Sequence, residues 1–243
     1  MCSSDLEEPS RWFDMSTTTT KKPHKDTYLD SSRVTRNYGT QTTMRSGTSY
    51  SHGAYTCYNM VMEFDVSAYT DPSAIIQADL TLISQGVVGG TTSTITVARL
   101  GIEFAAVDAA PVDGCTWNDT GDYNPPAAPI DWVGGTTYAE TDVPLQTFVV
   151  GSGQSDVTID LIDFMRDAIT RRSGVLRLLL SDGCDSTGGG AFGYTKFYST
   201  RHTTSSNHPV IEIIVADRVV WNGAAGDGVI SSGDRKASCR ERV

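Results

Sequence analysis

Apolar and polar residues alternate with a period of two along most of this chain, the signature of strands that turn one face to a core. The alternation is clearest in "TCYNMVMEFDVS" (56–67). Met60, Met62, Phe64 and Val66 fall on one face, and Asn59, Glu63 and Asp65 on the other, which predicts a half-buried strand. "IIQADLTLIS" (75–84) repeats the pattern with Ala78, Leu80 and Leu82 inward. "TSTITVARLGI" follows across "QGVVGGT" and is predicted as its hairpin partner. Earlier, "DTYLDSS" (26–32) runs into a turn signal at Asn37–Gly39, and "TTMRSGT" supplies a short second strand. Later, "TFVVG", "AFGYTKFYST" and "PVIEIIVAD" carry strand character. "VLRLLLSDG" (175–183) is nearly continuous in apolar residues, as a central strand covered on both faces would be.

One segment departs from this period. "SDVTIDLIDFMRDAITRRSG" (155–174) carries the only convincing helical spacing and predicts a short helix over about 160–172. Asp160 is placed to cap it, and Leu161, Met165, Ala168 and Ile169 line one face. Arg171 and Arg172 complement its C-terminus, and Gly174 stops it. Many short strands joined by Gly-, Ser- and Thr-rich turns, with one helix, predict an all-β sandwich or barrel. The expected organisation is a sandwich domain over 24–217 preceded by a flexible segment, 15–23. Residues 218–233, with a fresh strand-like start, read as the opening of a further domain.

The ends read differently. "MCSSDL" at 1–6 and "DRKASCRERV" at 234–243 look like translated sequencing adapter, so 1–14 and 234–243 are expected to be non-native tails on a fragment. Met15 is then the expected start, with no apolar signal segment after it.

Charge narrows the partners. The 243 residues carry 29 acidic and 19 basic side chains, a net −10. That balance argues against nucleic acid, whose phosphates require a basic patch. No apolar run has the length of a membrane-spanning helix, so no membrane insertion is expected. Setting the tails aside leaves Cys57, Cys115 and Cys184. They make no zinc spacing; one bridge among them is an alternative to three buried thiols.

The segment "CTWNDTGDYNPPAAPIDWVGG" (115–135) is neither helix nor strand and holds two tryptophans among prolines, acids and turn formers. Trp117, Tyr123 and Trp132, with Asp131, can form an aromatic platform for a sugar, whose apolar face matches a ring. The other reading is a long loop pinned by two buried tryptophans. Tyr123, at the apparent tip, is the expected exposed ring. Asp119, Asp122 and Asp131 lie close in sequence, but nothing pairs them as an acid and base, so no catalytic residue is assigned. Asp182 and Asp185 in "SDGCDSTGGG" are candidate calcium ligands, without an EF-hand pattern. His202 and His208 flank a polar loop and are expected in solvent rather than on zinc. "GSGQS" (151–155) has the wrong register for a nucleophile elbow, and "GGGAFG" (188–193) lies between strands rather than at a helix start.

The order of these segments resembles the DNRLRE-type β-sandwich domains. The resemblance runs through "DTYLDSSRVTRNYGTQTTMRSG", "MVMEFDVS", "SAIIQADLTL", the tryptophan segment, "DVTIDLIDFMRDAI", "GVLRLLLSDG", "KFYST" and "HPVIEIIV", covering nearly all of 26–215. It implies a jelly-roll-like antiparallel β-sandwich and a non-catalytic module, of a kind found in secreted polysaccharide-active proteins, surface proteins and phage virions. Some relatives bind alginate. The family often carries Arg where this chain has Glu63, a departure that weakens any carry-over of an acidic-sugar contact. The expected function is a structural or adhesive module of a phage virion or other surface assembly that recognises a polysaccharide or cell-surface glycan, beside neighbouring domains or virion proteins. Its expected location is the virion or the cell exterior. The alternatives are an ancillary binding domain of a secreted polysaccharide-degrading enzyme and a plain spacer.

Overall fold

The computed structural model of the protein describes residues 15–51, 54–104, 115–118, 139–140, 142–153, 156–183, 193–217, 229–232 and 235–238. The chain builds twelve antiparallel strands into one sheet that curls on itself as a sandwich: β1 (Met15–Lys21), β2 (Lys25–Asp30), β3 (Thr43–Ser51), β4 (Ala54–Asp65), β5 (Ile75–Val88), β6 (Thr92–Leu100), β7 (Ala139–Glu140), β8 (Gln146–Gly151), β9 (Asp156–Asp160), β10 (Val175–Ser181), β11 (Gly193–Tyr198) and β12 (Val210–Asp217). The all-β sandwich with one short helix read from the sequence is the fold observed. A separate hairpin pairs β13 (Val229–Ser232) with β14 (Arg235–Ser238).

β5 is the hinge of the architecture. Its first half pairs with β12 and β9, and its second half pairs with β11 through Val87 and Val88. The expected β5–β6 hairpin does not form: β6 pairs with β8, β10 and β7. Alternation shows that both segments are strands but says nothing about which edge each one meets. Gly89, at φ +80°, lies in the turn between β5 and β6.

The segment 15–21, expected to be flexible, forms β1 along β12, from Met15 opposite Asp217 to Lys21 opposite Ile211. Its run of threonines is β-branched and suits a pleated edge.

The core of the sandwich is where the period of two placed it. Met60, Met62, Phe64 and Val66 of the β4 segment meet Leu80, Leu82, Ile95, Val97, Leu176 and Leu178. The sequence predicts a half-buried strand with a polar second face, and here the structure differs. Val61 and Cys57 lie there in a second buried cluster with Leu29, Leu100, Phe104, Cys115, Trp117 and Leu179. Residues outside regular strands supply that cover, so β4 is buried on both sides and Glu63 lies at 3% exposure.

Helix α1 spans Ile162–Arg171 and turns Phe164, Met165 and Ala168 to the core. Leu161 occupies the cap position, one residue later than expected, and the Asp160 carboxylate accepts from the Ile162 amide at 2.9 Å. The helix docks through charge as well as apolar area. Arg99, 3% exposed, holds Asp167 of the helix together with Glu140 and Asp142, and Arg171 and Arg172 reach the same two acids.

Candidate functional site

β11 alternates by burial. Gly193, Thr195 and Phe197 are buried, while Tyr194, Lys196 and Tyr198 are half-exposed. Its neighbour β3 presents Thr43 and Arg45, both half-exposed, opposite Tyr198 and Lys196. One face of the β3–β11 pair is therefore a stripe of aromatic and basic side chains on a strongly acidic protein.

Two glycines shape the stripe. Gly47 (φ +125°) stands opposite Tyr58 on β4 and opposite Tyr194 on β11. The two tyrosines close over the missing side chain, with ring centroids 4.8 Å apart. A Cβ at Gly47 would come within 2.6 Å of the Gly193 carbonyl and 2.7 Å of the Tyr194 Cα. Only glycine allows this approach, so the backbone itself sets the aromatic floor.

Arg45 lies over that floor. Its guanidinium sits 5.4 Å from the Tyr28 ring, 5.4 Å from Tyr58 and 5.6 Å from Tyr194, within cation–π range. Tyr28 in turn stacks on Tyr38 at 4.3 Å. Burial pushes the Tyr28 and Tyr194 phenols up, against the pull of Arg45. They stay neutral at physiological pH, so they frame the cation without cancelling it. The Arg45 Nε is buried with no hydrogen-bond partner among the described residues.

Lys196 stands directly opposite Arg45 across the β3–β11 ladder. Like charges in that position repel. Every ion pair among the described residues involves other cations: His24, Lys25, Arg99, Arg171, Arg172 and Arg177. Thus neither of these two adjacent cations has a carboxylate partner among the described residues.

The stripe opens at one end into a cavity of about 440 Å³, lined by Thr48, Ser49 and Tyr50 of β3, Val88 and the adjoining Gly89, and Gly193 and Tyr194. Tyr50 is 55% exposed and packs against Tyr55 at 4.8 Å. At the other end Tyr198 meets the His202 ring at 4.3 Å.

Of the candidate site residues read from the sequence, Trp117, Asp182, His202 and His208 lie among the described residues. Trp117 is 4% exposed inside the second cluster, so its ring offers no open face to a sugar. Its segment is held under the preceding turn: Asn37 Nδ2 donates to the Cys115 carbonyl at 2.7 Å, and the Asn118 amide to that of Val34 at 3.4 Å. Tyr123, Asp131 and Trp132 fall outside the described residues, as do Asp119, Asp122 and Asp185. Asp182 accepts from the Thr48 hydroxyl. Among the described residues no three His, Cys, Asp or Glu converge as a metal site. His202 and His208 bond to each other instead, His208 Nε2 lying 2.7 Å from the His202 carbonyl. Cys57 is in a disulfide whose partner lies outside the described residues, whereas Cys115 remains a buried thiol. Three buried thiols, the other reading of the cysteines, are thereby corrected for Cys57.

Glu63, the departure from the resembled family, does not face the stripe. It lies on the opposite side of β4 from Met62, bonded to His24 at 2.7 Å and Lys25 at 2.9 Å and paired with Arg177. It carries no bearing on a ligand at Arg45. Sequence reasoning missed the stripe itself, although "GYTKFYST" carries the signal in its alternation of Tyr194, Lys196 and Tyr198. Among the described residues no helix is long and apolar enough to cross a membrane.

Over residues 17–162, more than half of the chain, the sequence matches the family model of carbohydrate-binding module family 96. No curated protein matches the chain.

Proposed function

The chain belongs to carbohydrate-binding module family 96, and we propose that it binds an anionic polysaccharide, without cleaving it, on the face formed by Tyr194, Lys196, Tyr198 and Arg45. The observation that carries this reading is the Arg45–Lys196 couple, without a carboxylate partner among the described residues and set among tyrosines. A carboxylate or sulfate on a sugar would satisfy both cations. Tyr194 and Tyr198 supply ring surface for the apolar faces of the flanking sugars. Binding modules work through such concave or flat arrays of a few aromatics with placed polar groups.

The test is titration of the protein with polygalacturonate, alginate and a neutral glucan, with and without calcium. Anionic polymers should bind and the neutral one should not, and Lys196→Met should weaken binding roughly tenfold, the loss of one charge-assisted contact. Equal binding of neutral and anionic polymers, or an unaffected Lys196→Met protein, would sink the reading. The calcium arm tests Asp182 and Asp185 as ligands of a bound ion. Tyr123, Asp131 and Trp132 are proposed as further sugar contacts, and Tyr123→Ala in the same titration tests them. We place the module in a larger surface assembly, either a phage virion or a secreted polysaccharide-degrading enzyme. Neighbouring capsid genes would favour the first setting, and an adjoining catalytic domain the second.

A further inference from the structure

We infer that the stripe receives an internal stretch of a polysaccharide lying along β11, not a chain end; this rests on the reading of that face as the carbohydrate site. The contacts are arranged in a line. Tyr194, Lys196 and Tyr198 occupy every second position of one strand. At a rise of ~3.4 Å per residue, Tyr194 and Tyr198 stand about 14 Å apart with the cation midway. One pyranose is too short to touch both rings, so the full set of contacts requires consecutive sugars.

Charge and aromatic surface are ordered along that line. Arg45 and Lys196 face each other at its centre, and an aromatic ring follows on either side. The anionic group of one sugar is therefore held in the middle of the bound segment, with its neighbours on Tyr194 and Tyr198. A site built for a chain end would put its polar groups at a closed terminus, because an end is recognised by hydroxyls that the internal units lack.

Neither end is closed among the described residues. Beyond Tyr194 the stripe meets the cavity lined by Val88, Gly89 and Gly193. Beyond Tyr198 lies the turn that carries Arg201, Thr203 and Thr204, all exposed. Among the described residues a chain can leave at both ends.

The experiment is calorimetric titration of the whole chain with size-defined galacturonate and mannuronate oligomers from dimer to octamer. A second octamer sample has its reducing end converted to the alditol and its non-reducing end converted to the unsaturated uronate. Affinity should climb from dimer to tetramer by roughly tenfold or more and then level off, and the doubly altered octamer should bind as the native one does. Tyr198→Ala should bring the affinity of the tetramer down toward that of the dimer and leave the dimer unchanged, which a general loss of folding would not do. Equal affinity from dimer to octamer, or loss of binding when the ends are altered, would overturn the inference and leave the carbohydrate site standing. Failure of every oligomer and of both parent polymers to bind would overturn the site itself.

Discussion

Arg45 on β3 and Lys196 on β11 are direct cross-strand partners, and the fold places no acidic side chain between them among the described residues. In a protein of net charge −10 an acid at position 196 would be the stabilising choice. The pair therefore costs stability where it sits, as binding sites often do. Lys196→Glu should raise the unfolding free energy by about 0.5 kcal/mol through pairing with Arg45 while abolishing binding to anionic polymers. Urea unfolding and polymer titration of the same preparation check both signs. A variant that is destabilised, or one that still binds, would contradict the functional origin of the pair.

Gly174 ends α1 in a left-handed conformation at φ +77°, and its carbonyl accepts from the Val66 amide at 2.8 Å. A Cβ there would stand 2.3 Å from the Ser67 Cα and 2.6 Å from its nitrogen, both backbone atoms that cannot step aside. Gly174→Ala combines that overlap with an unfavourable φ and should cost about 2–3 kcal/mol. Gly153, which has open space around it, is the control: Gly153→Ala should change stability little. Thermal unfolding of the two variants measures the difference.

The strands were legible because a period of two survives wherever a strand has one face in a core, as Met60, Met62 and Phe64 show. What covers the other face was not, because Phe104, Cys115 and Trp117 lie in irregular segments with no period of their own. Partner choice was equally hidden. β5 and β6 look like a hairpin in sequence, and only the pairing of Val87 and Val88 with β11 reveals the crossing between layers. The site followed the same rule: Tyr194, Lys196 and Tyr198 are visible as an alternation, but Arg45 joins them only through strand register. The rarer tryptophans drew attention to a segment whose described part is buried.

Trp117 gives a test of that last point. At 4% exposure its indole fills the cluster formed with Leu29, Val61 and Leu179. Trp117→Ala should cost about 3–5 kcal/mol, the loss expected for a large buried aromatic. Polymer affinity of the fraction that remains folded should be unchanged, since the ring is absent from the stripe. Binding measured well below the thermal midpoint separates the two effects, and a loss of affinity without loss of stability would return Trp117 to the binding surface.

Glu63 gives the protein a predictable acid limb. Burial opposes its charge, but Arg177 and Lys25, reinforced by their hydrogen bonds, outweigh that cost and hold the carboxyl below the usual glutamate range. His24 lies against the same carboxylate, and Glu103 shares Lys25 and Arg177 with it. A carboxylate whose folded pKa is depressed contributes stability above its unfolded value, about 4.3, and loses that contribution as pH falls through the folded one. Glu63→Gln should therefore be destabilised by about 3 kcal/mol at neutral pH, because it leaves Lys25 and Arg177 short of a buried counter-charge. The gap between the variant and the native protein should begin to shrink as the pH falls below about 4.3, where the glutamate of the unfolded chain takes up its proton, and go on shrinking until the pH passes the depressed folded value. Urea unfolding of both proteins at neutral and acid pH measures that gap. A gap that stays constant would mean that Glu63 acts through packing alone, and that the charge row from Lys25 across Glu63 to Arg177 contributes no net electrostatic stability.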